Sequence, residues 1–157
     1  MTDISYRRMQ PGEEQAVYDM VERCFNTFIT PDYVTEGVHA FLYYAHPAHM
    51  AERQQADHFV LVADCKGVIA GMIEMRDYDH VALLFVDEAF QRRGLSRELL
   101  RQALDICRQH RPDGREITVN SSPYAVPVYE RLGFRATAPE QEKSGIRFTP
   151  MVLEFRP

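Results

Sequence analysis

A short apolar strand that leads into an arginine-rich turn is the feature that most limits how this chain can fold. Residues His80–Val86 are almost continuously apolar, as expected for a strand buried on both faces. The turn Gln91-Arg92-Arg93-Gly94 follows, and a helix with an apolar stripe begins near Leu95. This order brings backbone N–H groups and the positive end of a helix dipole to one place. The arrangement is typical of an anion-binding site.

The distribution of charge along the chain agrees with this interpretation. The formal net charge is −5, which argues against general binding to DNA or RNA. Residues 91–115, however, contain seven arginines and three acidic residues, so this segment carries +4 and the rest of the chain −9. A guanidinium suits phosphate because it can donate two parallel hydrogen bonds. A solvated helix face explains the same arginines equally well, so charge alone does not decide between the two.

The length and the hydrophobic pattern predict one α/β domain that spans residues 1–157. The predicted order is βααβββαβαββ, in a mixed sheet. Strands are predicted at 4–8, 58–64, 68–76, 80–86, 116–120, 134–137 and 146–155, and helices at 13–27, 35–54, from 95 to about 110, and around 127–132. The second helix contains Pro47, where a break is expected.

Features that would point to other classes of protein are missing from the sequence. Cys24, Cys65 and Cys107 are odd in number and far apart, which favours reduced thiols in a cytoplasmic protein. No stretch approaches the roughly 18 apolar residues of a spanning helix, and the N-terminus lacks the apolar segment of a secretory signal. We therefore expect no membrane partner. His46 and His49 are three residues apart, but a solvated pair is favoured over a metal site, and no metal is predicted.

A second motif follows the first, and the two together indicate a family. Residues 119–134 read VNSSPYAVPVYERLGF. With Gln91–Ser96, this segment resembles the GNAT superfamily of acyl-CoA-dependent N-acetyltransferases, which carries [QR]-x-x-G-x-[GA] and later Asn, a small residue and Tyr-x-x-Leu-Gly-Phe. Ser96 departs from the Gly or Ala that is usual there. The resemblance covers nearly the whole chain, and it implies acetyl-CoA as co-substrate and a splay between the fourth and fifth strands.

The resemblance also implies roles for individual residues by their position in the motifs. The turn and the first residues of the helix would bind the CoA pyrophosphate: Gln91, Arg92, Arg93, Gly94, Leu95, Ser96 and Arg97. Phe85 and Val86 would pair through their backbone with the pantetheine arm, and the Val86 N–H would stabilise the developing oxyanion. Asn120 would hydrogen-bond the arm, and Ala125 would leave room for it.

Proton transfer requires further groups, for which the sequence offers several candidates. Tyr129 stands where many family members place the general acid for the departing sulfur, although a core aromatic beside Phe134 is the alternative. Making a lysine-like amine neutral at pH 7 costs roughly 4.6 kcal/mol, so a base would help. His80 is the favoured base and Glu74 its competitor, and the absence of any direct side-chain base is a third option. If His80 is the base, His80→Gln lowers turnover at pH 7 by more than tenfold.

The acceptor is expected to be a small primary amine that attacks acetyl-CoA directly in a ternary complex, since no cysteine lies near Tyr129 in sequence. Phe28, Tyr33 and Tyr44 fall in the region where the family builds its acceptor pocket, and they are candidates for an apolar or aromatic amine. Two alternatives stay open. One is acetylation of a protein N-terminus or lysine, and the other is a non-catalytic acyl-CoA-binding regulatory module. Neither the acceptor nor a homodimer, a common state in this family, can be assigned from the sequence.

Overall fold

The protein is built on an eight-stranded sheet, which a computed structural model describes together with its helices for residues 3–155. The strands are β1 (Ile4–Arg8), β2 (His58–Cys65), β3 (Val68–Arg76), β4 (His80–Val86), β5 (Glu116–Ser121), β6 (Arg135–Ala136), β7 (Gln141–Lys143) and β8 (Ile146–Glu154). Their order is β1-β2-β3-β4-β5-β8-β6, and β7 pairs with β8. The β4–β5 pair is parallel and the other pairs are antiparallel.

Five α-helices flank the sheet: α1 (Glu14–Cys24), α2 (Thr35–Ala45), α3 (Pro47–Gln54), α4 (Leu95–His110) and α5 (Val126–Arg131). A π-helical turn at Phe25–Ile29 continues α1, and 3₁₀ turns occupy Thr30–Asp32 and Glu88–Phe90. The expected break near Pro47 is confirmed. His46 has extended backbone angles and ends α2, because a residue before proline avoids the helical region.

The helices form one layer on each face of the sheet. On one face, α1 to α3 cover a core that includes Val17, Met20, Met50, Val60 and Met72. On the other, α4 and α5 cover a core that includes Ile73, Leu99, Ala103, Ile117 and Tyr129. Successive strand residues alternate between these cores, as the period of two requires. Within residues 3–155, no helix combines the length and apolar character needed to cross a bilayer.

Strand β4 departs from regular pairing on both of its sides. Toward β3, a bulge at Ala82 shifts the register, since Glu74 pairs with Leu83 and Met75 with Val81. Toward β5, the register in the described part of the chain joins only His80 to Thr118 and Val81 to Val119. Leu84 and Phe85 are partly exposed. The expectation of a strand buried on both faces is therefore wrong at Leu84 and Phe85, beyond the residues that pair with β5.

The mixed single-sheet fold and the predicted order are otherwise confirmed, with differences in the last third of the chain. The predicted strand 134–137 shortens to Arg135–Ala136, and β7 was not expected. All three β7 residues are exposed and polar. They carry no alternation of apolar and polar residues, the sequence signal on which strand prediction rests.

Candidate active site

A cavity of about 550 Å³ opens beside the second half of β4. The end of α1 and its π-turn, the turn after β4, the start of α4, and α5 with the loop before it form its walls. Its lining residues are Cys24, Phe28, Ile29, Leu84, Phe85, Val86, Phe90, Gln91, Arg92, Gly94, Leu95, Ser96, Arg97, Tyr124, Ala125, Val128, Tyr129, Arg131 and Leu132. The cavity brings together both motifs, although they are separated by α4 and β5 in the sequence.

Part of the β4 backbone faces away from β3, on the side of this cavity. In an antiparallel ladder, residues bonded to the neighbouring strand alternate with residues whose N–H and C=O point away from it. Asp87 N donates to Ala70 O at 2.8 Å, so Phe85, two residues earlier, also bonds to β3. Leu84 and Val86 then direct their backbone groups away from β3. The outward-facing pair is thus Leu84 and Val86 rather than the expected Phe85 and Val86, and Phe85 contributes its side chain to the wall.

The turn after β4 forms a concave group of backbone amides. Arg92 and Gly94 both have positive φ, 65° and 82°, and peptides that alternate in this way direct successive N–H groups toward one point. Gly94 is the N-cap of α4, and no side-chain hydrogen bond caps this end of the helix. The Gln91 side chain donates from Nε2 to Val86 O at 3.1 Å, which holds the turn against the end of β4.

Tyr129 on α5 lines the cavity and also belongs to the core on that face of the sheet. Its side chain is 5 % exposed, and its ring meets Phe134 edge-on at a centroid distance of 5.3 Å. Burial raises the pKa of Tyr129 above its usual value, so the phenol keeps its proton. The residue is both a core aromatic and a cavity residue, which makes the two interpretations of the sequence compatible.

Neither base candidate reaches the cavity. His80 stands at the opposite end of β4, where Nδ1 is hydrogen-bonded to Thr118 Oγ1 at 2.8 Å. Burial, with Arg76 nearby, lowers the pKa of His80 to about 4. Glu74 is fully buried on the α1–α3 face of the sheet, and its carboxylate is bound by Arg53 and His58 instead of facing open space.

The carboxylate of Glu74 is held ionised by this pairing. Burial by itself raises the pKa of Glu74, but the hydrogen bonds from His58 and Arg53 outweigh that effect and keep it below the usual value. A carboxylate that is bound by two partners and has a low pKa is a poor proton acceptor. The geometry therefore contradicts a direct role as base for both Glu74 and His80.

Four other candidates also lie outside the cavity wall. Arg93 is exposed, with its guanidinium 5.6 Å from the centre of the Phe90 ring. Asn120 is exposed on β5. Tyr33 packs edge-on against Phe25, and Tyr44 lies beneath the Arg53 guanidinium at 3.8 Å. Of the three expected acceptor residues, the cavity includes Phe28 alone.

Two further cavity residues, to which the sequence assigned no role, come from distant parts of the chain. Cys24 is buried and donates from Sγ to Val86 O at 3.4 Å, and burial, with Asp87 nearby, raises the pKa of Cys24 to about 11. Tyr124 stands in the loop before α5 and stacks on Phe28. Tyr124 lies inside the second motif, so its position was visible in the sequence. Nothing in the sequence places Cys24 beside Val86.

Comparisons with known proteins agree with the fold and the motifs. Residues 29–155 match the family described as Acetyltransferase (GNAT) domain. The uncharacterized N-acetyltransferase YafP of Escherichia coli (strain K12) is 24 % identical over 158 residues, covering 100 % of this chain and 99 % of that protein.

Two solved structures share the fold over almost their whole length. The GCN5-related N-acetyltransferase from Rhodopseudomonas palustris superposes with a TM-score of 0.83 at 19 % identity, covering 99 % of this chain and 98 % of that one. The PaiA N-acetyltransferase from Thermoplasma acidophilum, solved in complex with coenzyme A, gives a TM-score of 0.81 at 14 % identity, with 98 % and 99 % covered. At these identities the likeness establishes a common fold.

Proposed function

Since this chain belongs to the GNAT family of acetyltransferases, we propose that it transfers the acetyl group of acetyl-CoA to a primary amine of a small molecule by direct attack in a ternary complex. The observation that carries the proposal is the cavity beside β4. It joins a concave, arginine-flanked turn to an outward-facing backbone N–H at Val86 and a protonated phenol at Tyr129. An anion site, an oxyanion donor and an acid are the groups that acetyl transfer needs.

The charged residues of the cavity suit the phosphates of CoA. Arg92, Arg97 and Arg131 line it, and none of the lining residues within 3–155 is acidic. Charge-assisted hydrogen bonds from guanidinium groups and from backbone amides at a helix start are the usual means of holding pyrophosphate. We place the pantetheine arm along Leu84 and Val86, where β4 has no partner from β5.

The chemistry that acetyl-CoA supplies is an activated thioester. Val86 N–H would donate to the carbonyl oxygen as negative charge develops on it, a contribution worth about 2.7–4 kcal/mol per donor elsewhere. Tyr129 would give its proton to the departing sulfur. A thiol with a pKa near 8.5 is already a fair leaving group, so Tyr129 assists the step and does not control it.

Direct attack is preferred to an acyl-enzyme although the fold does bring a cysteine into the cavity. Distance along the sequence was therefore a poor argument, because Cys24 and Tyr129 line the same space. The Cys24 thiol is nevertheless buried, with its pKa raised to about 11, and it is engaged by Val86 O. The thiolate is the nucleophilic form of cysteine, and this site disfavours it.

No aspartate, glutamate or histidine is among the described residues that line the cavity. A lysine side chain or any other cationic amine would find no counter-charge there, which favours an acceptor that is neutral at pH 7. Because the lining offers no base, either water removes the proton from the acceptor or the acceptor binds as a neutral amine.

The test is thiol release from acetyl-CoA against amines, amino acids, polyamines, aminoglycosides and basic peptides, after subtraction of the protein's own three cysteines. With the best acceptor, Tyr129→Phe should lower kcat by about tenfold and leave the Kd for acetyl-CoA within twofold. Tyr43→Phe is the matched control, since Tyr43 is 68 % exposed and outside the cavity. Equal turnover in Tyr129→Phe and the wild type would exclude Tyr129 as the general acid. Tight acetyl-CoA binding with no thiol release from any amine would favour a regulatory module.

A further inference from the structure

Two aromatic rings from distant segments of the chain meet in the wall of the cavity. Phe28 and Tyr124 stack with a centroid distance of 4.9 Å and an interplanar angle of 24°. Both line the cavity. Phe28 is half-buried, whereas Tyr124 is 42 % exposed and is one of the large apolar side chains that this protein leaves open to solvent. We call these two residues the aromatic pair.

The aromatic pair lines the same cavity as the groups proposed to act on the thioester, and each ring is close to one of them along the chain. Phe28 belongs to the π-helical turn and follows Cys24 by four residues, and the Cys24 thiol touches Val86 O. Tyr124 precedes Tyr129 by five residues, in the loop that leads into α5. Short π-helical segments occur frequently at functional sites. The pair thus joins the wall formed by the end of α1 and its π-helical turn to the wall formed by the loop before α5.

The cavity that contains the pair has no acidic side chain among the described residues that line it. Its charged lining residues are Arg92 in the turn after β4, Arg97 at the start of α4 and Arg131 in α5. None of the described lining residues therefore offers a carboxylate to bind an ammonium ion or to remove its proton. An alkylamine would have to be neutralised before attack, at a cost of roughly 4.6 kcal/mol at pH 7 for a pKa of about 10.4.

We infer that the acceptor is an aromatic amine whose nitrogen is attached directly to a flat ring, and that this ring packs against Phe28 and Tyr124. The inference rests on the proposed acetyl transfer and names its substrate class. Delocalisation of the nitrogen lone pair into the ring leaves such an amine neutral at pH 7, so the missing base is not needed. The flat ring extends the existing aromatic stack, an arrangement that aromatic side chains favour.

The reaction balances without any further reactant. The amine nitrogen uses its lone pair to form a bond to the acetyl carbon, and the carbon–sulfur bond breaks with its electron pair on sulfur. The nitrogen loses one proton and the sulfur gains one. The products are an aryl amide and the free thiol of CoA.

The first experiment compares acceptors that differ in ring and basicity: aniline, benzylamine and cyclohexylamine. At pH 7, kcat/KM for aniline should exceed that for benzylamine by at least tenfold. Between pH 7 and 9 it should stay flat for aniline and rise about tenfold per unit for the alkylamines, because their neutral fraction rises. A higher kcat/KM for benzylamine or cyclohexylamine at pH 7 would overturn the inference while leaving acetyl transfer intact.

The second experiment removes the rings. Phe28→Leu and Tyr124→Leu should each raise KM for aniline about fivefold, a change of ~1 kcal/mol at 1.4 kcal/mol per tenfold, with the Kd for acetyl-CoA unchanged. Phe28→Tyr and Tyr124→Phe keep the rings and should keep KM within twofold. Tyr43→Leu is the exposed aromatic control. Unchanged KM in both leucine variants would refute a role for the pair.

A binding measurement separates this inference from the proposed function. Calorimetric titration of the CoA-loaded protein with acetanilide, the aryl amide product, should show binding that weakens about fivefold in both leucine variants. If no amine releases thiol but acetanilide binds in this pattern, the proposed function fails and the aromatic site stands. If acetanilide does not bind, or binds equally to the variants, the aromatic site falls whatever the activity.

Discussion

The buried carboxylate of Glu74 tests whether this residue stabilises the fold or acts as a base in catalysis. Arg53 donates to it from Nε at 2.7 Å and from Nη2 at 3.0 Å. His58 Nδ1 lies 2.7 Å from the same carboxylate. Arg53 also donates to Tyr44 O at 2.5 Å. We predict that Arg53→Met destabilises the protein strongly, because it leaves a fully buried carboxylate without its main partner.

The magnitude follows from the geometry. Removing one partner of a buried ion pair typically costs about 3–5 kcal/mol, and His58 remains as a second partner, so we expect about 3 kcal/mol. For a chain of this size, each kcal/mol lowers Tm by roughly 2–4 °C, giving a loss of about 6–12 °C. The double variant Arg53→Met/Glu74→Gln should recover at least ~1 kcal/mol of this loss, because a neutral amide costs less to bury than an unpaired charge.

The pH dependence of the stability provides an independent check that the ionised form of Glu74 stabilises the folded protein. The folded-state pKa of Glu74 is lowered, so the stability it contributes is present above the unfolded value of about 4.5 and is lost as pH falls below it. The difference in free energy of unfolding between the wild type and Arg53→Met should therefore be largest near pH 7 and become smaller toward pH 4. Urea unfolding followed by circular dichroism at both pH values measures it.

Two results would refute this reasoning. One is a loss of stability below ~1 kcal/mol in Arg53→Met at pH 7, which would mean that the buried carboxylate does not need Arg53 to stay in the folded protein. The other is a tenfold fall in kcat for Glu74→Gln without a loss of stability, which would return Glu74 to the role of base.

Three further predictions address the turn, the second base candidate and acid stability. Gly94→Ala and Gly12→Ala both place a side chain at positive φ (82° and 97°) where an added Cβ meets no atom within 4 Å, so each should cost ~1 kcal/mol of stability. Only Gly94→Ala should weaken acetyl-CoA binding in calorimetric titration, by about tenfold, and equal affinities in the two variants would argue against the turn as the phosphate site. His80→Gln should leave kcat within twofold and the pH–rate profile unchanged, since the imidazole lies outside the cavity; a tenfold loss in steady-state assays would restore it as base. Hydrogen bonds from Arg7 lower the pKa of Glu13 to about 2, so the stability lost in Glu13→Gln should be constant above pH 4.5 and decline toward pH 2, and a pH-independent difference on urea unfolding would contradict that pairing.

Local patterns in the sequence were sufficient to predict most of the elements. The strands expected at 4–8, 68–76 and 80–86 have the observed bounds, because side-chain alternation and turn residues act over a few neighbouring positions. The motif that begins at Gln91 predicted a turn before α4 for the same reason. Its geometry depends on the backbone angles of consecutive residues such as Arg92 and Gly94.

The composition of the site, by contrast, was decided by contacts between distant segments. The sequence suggested that Glu74 is an available carboxylate, but Arg53 of α3 binds it. His80 lies on β4, but at the opposite end of the strand from the cavity, where it contacts Thr118. Phe28 and Tyr124 are nearly a hundred residues apart, yet their rings stack at the cavity.

The sequence by itself therefore determined the order of the elements, the family and the turn that suits a phosphate, all of which follow from local spacing and short motifs. The tertiary structure decided which titratable groups are bound by partners, which face open space, and which aromatic rings line the cavity. The physical reason is that burial and pairing are properties of the packed layers on either side of the sheet, and no local pattern specifies which distant residues will pack together.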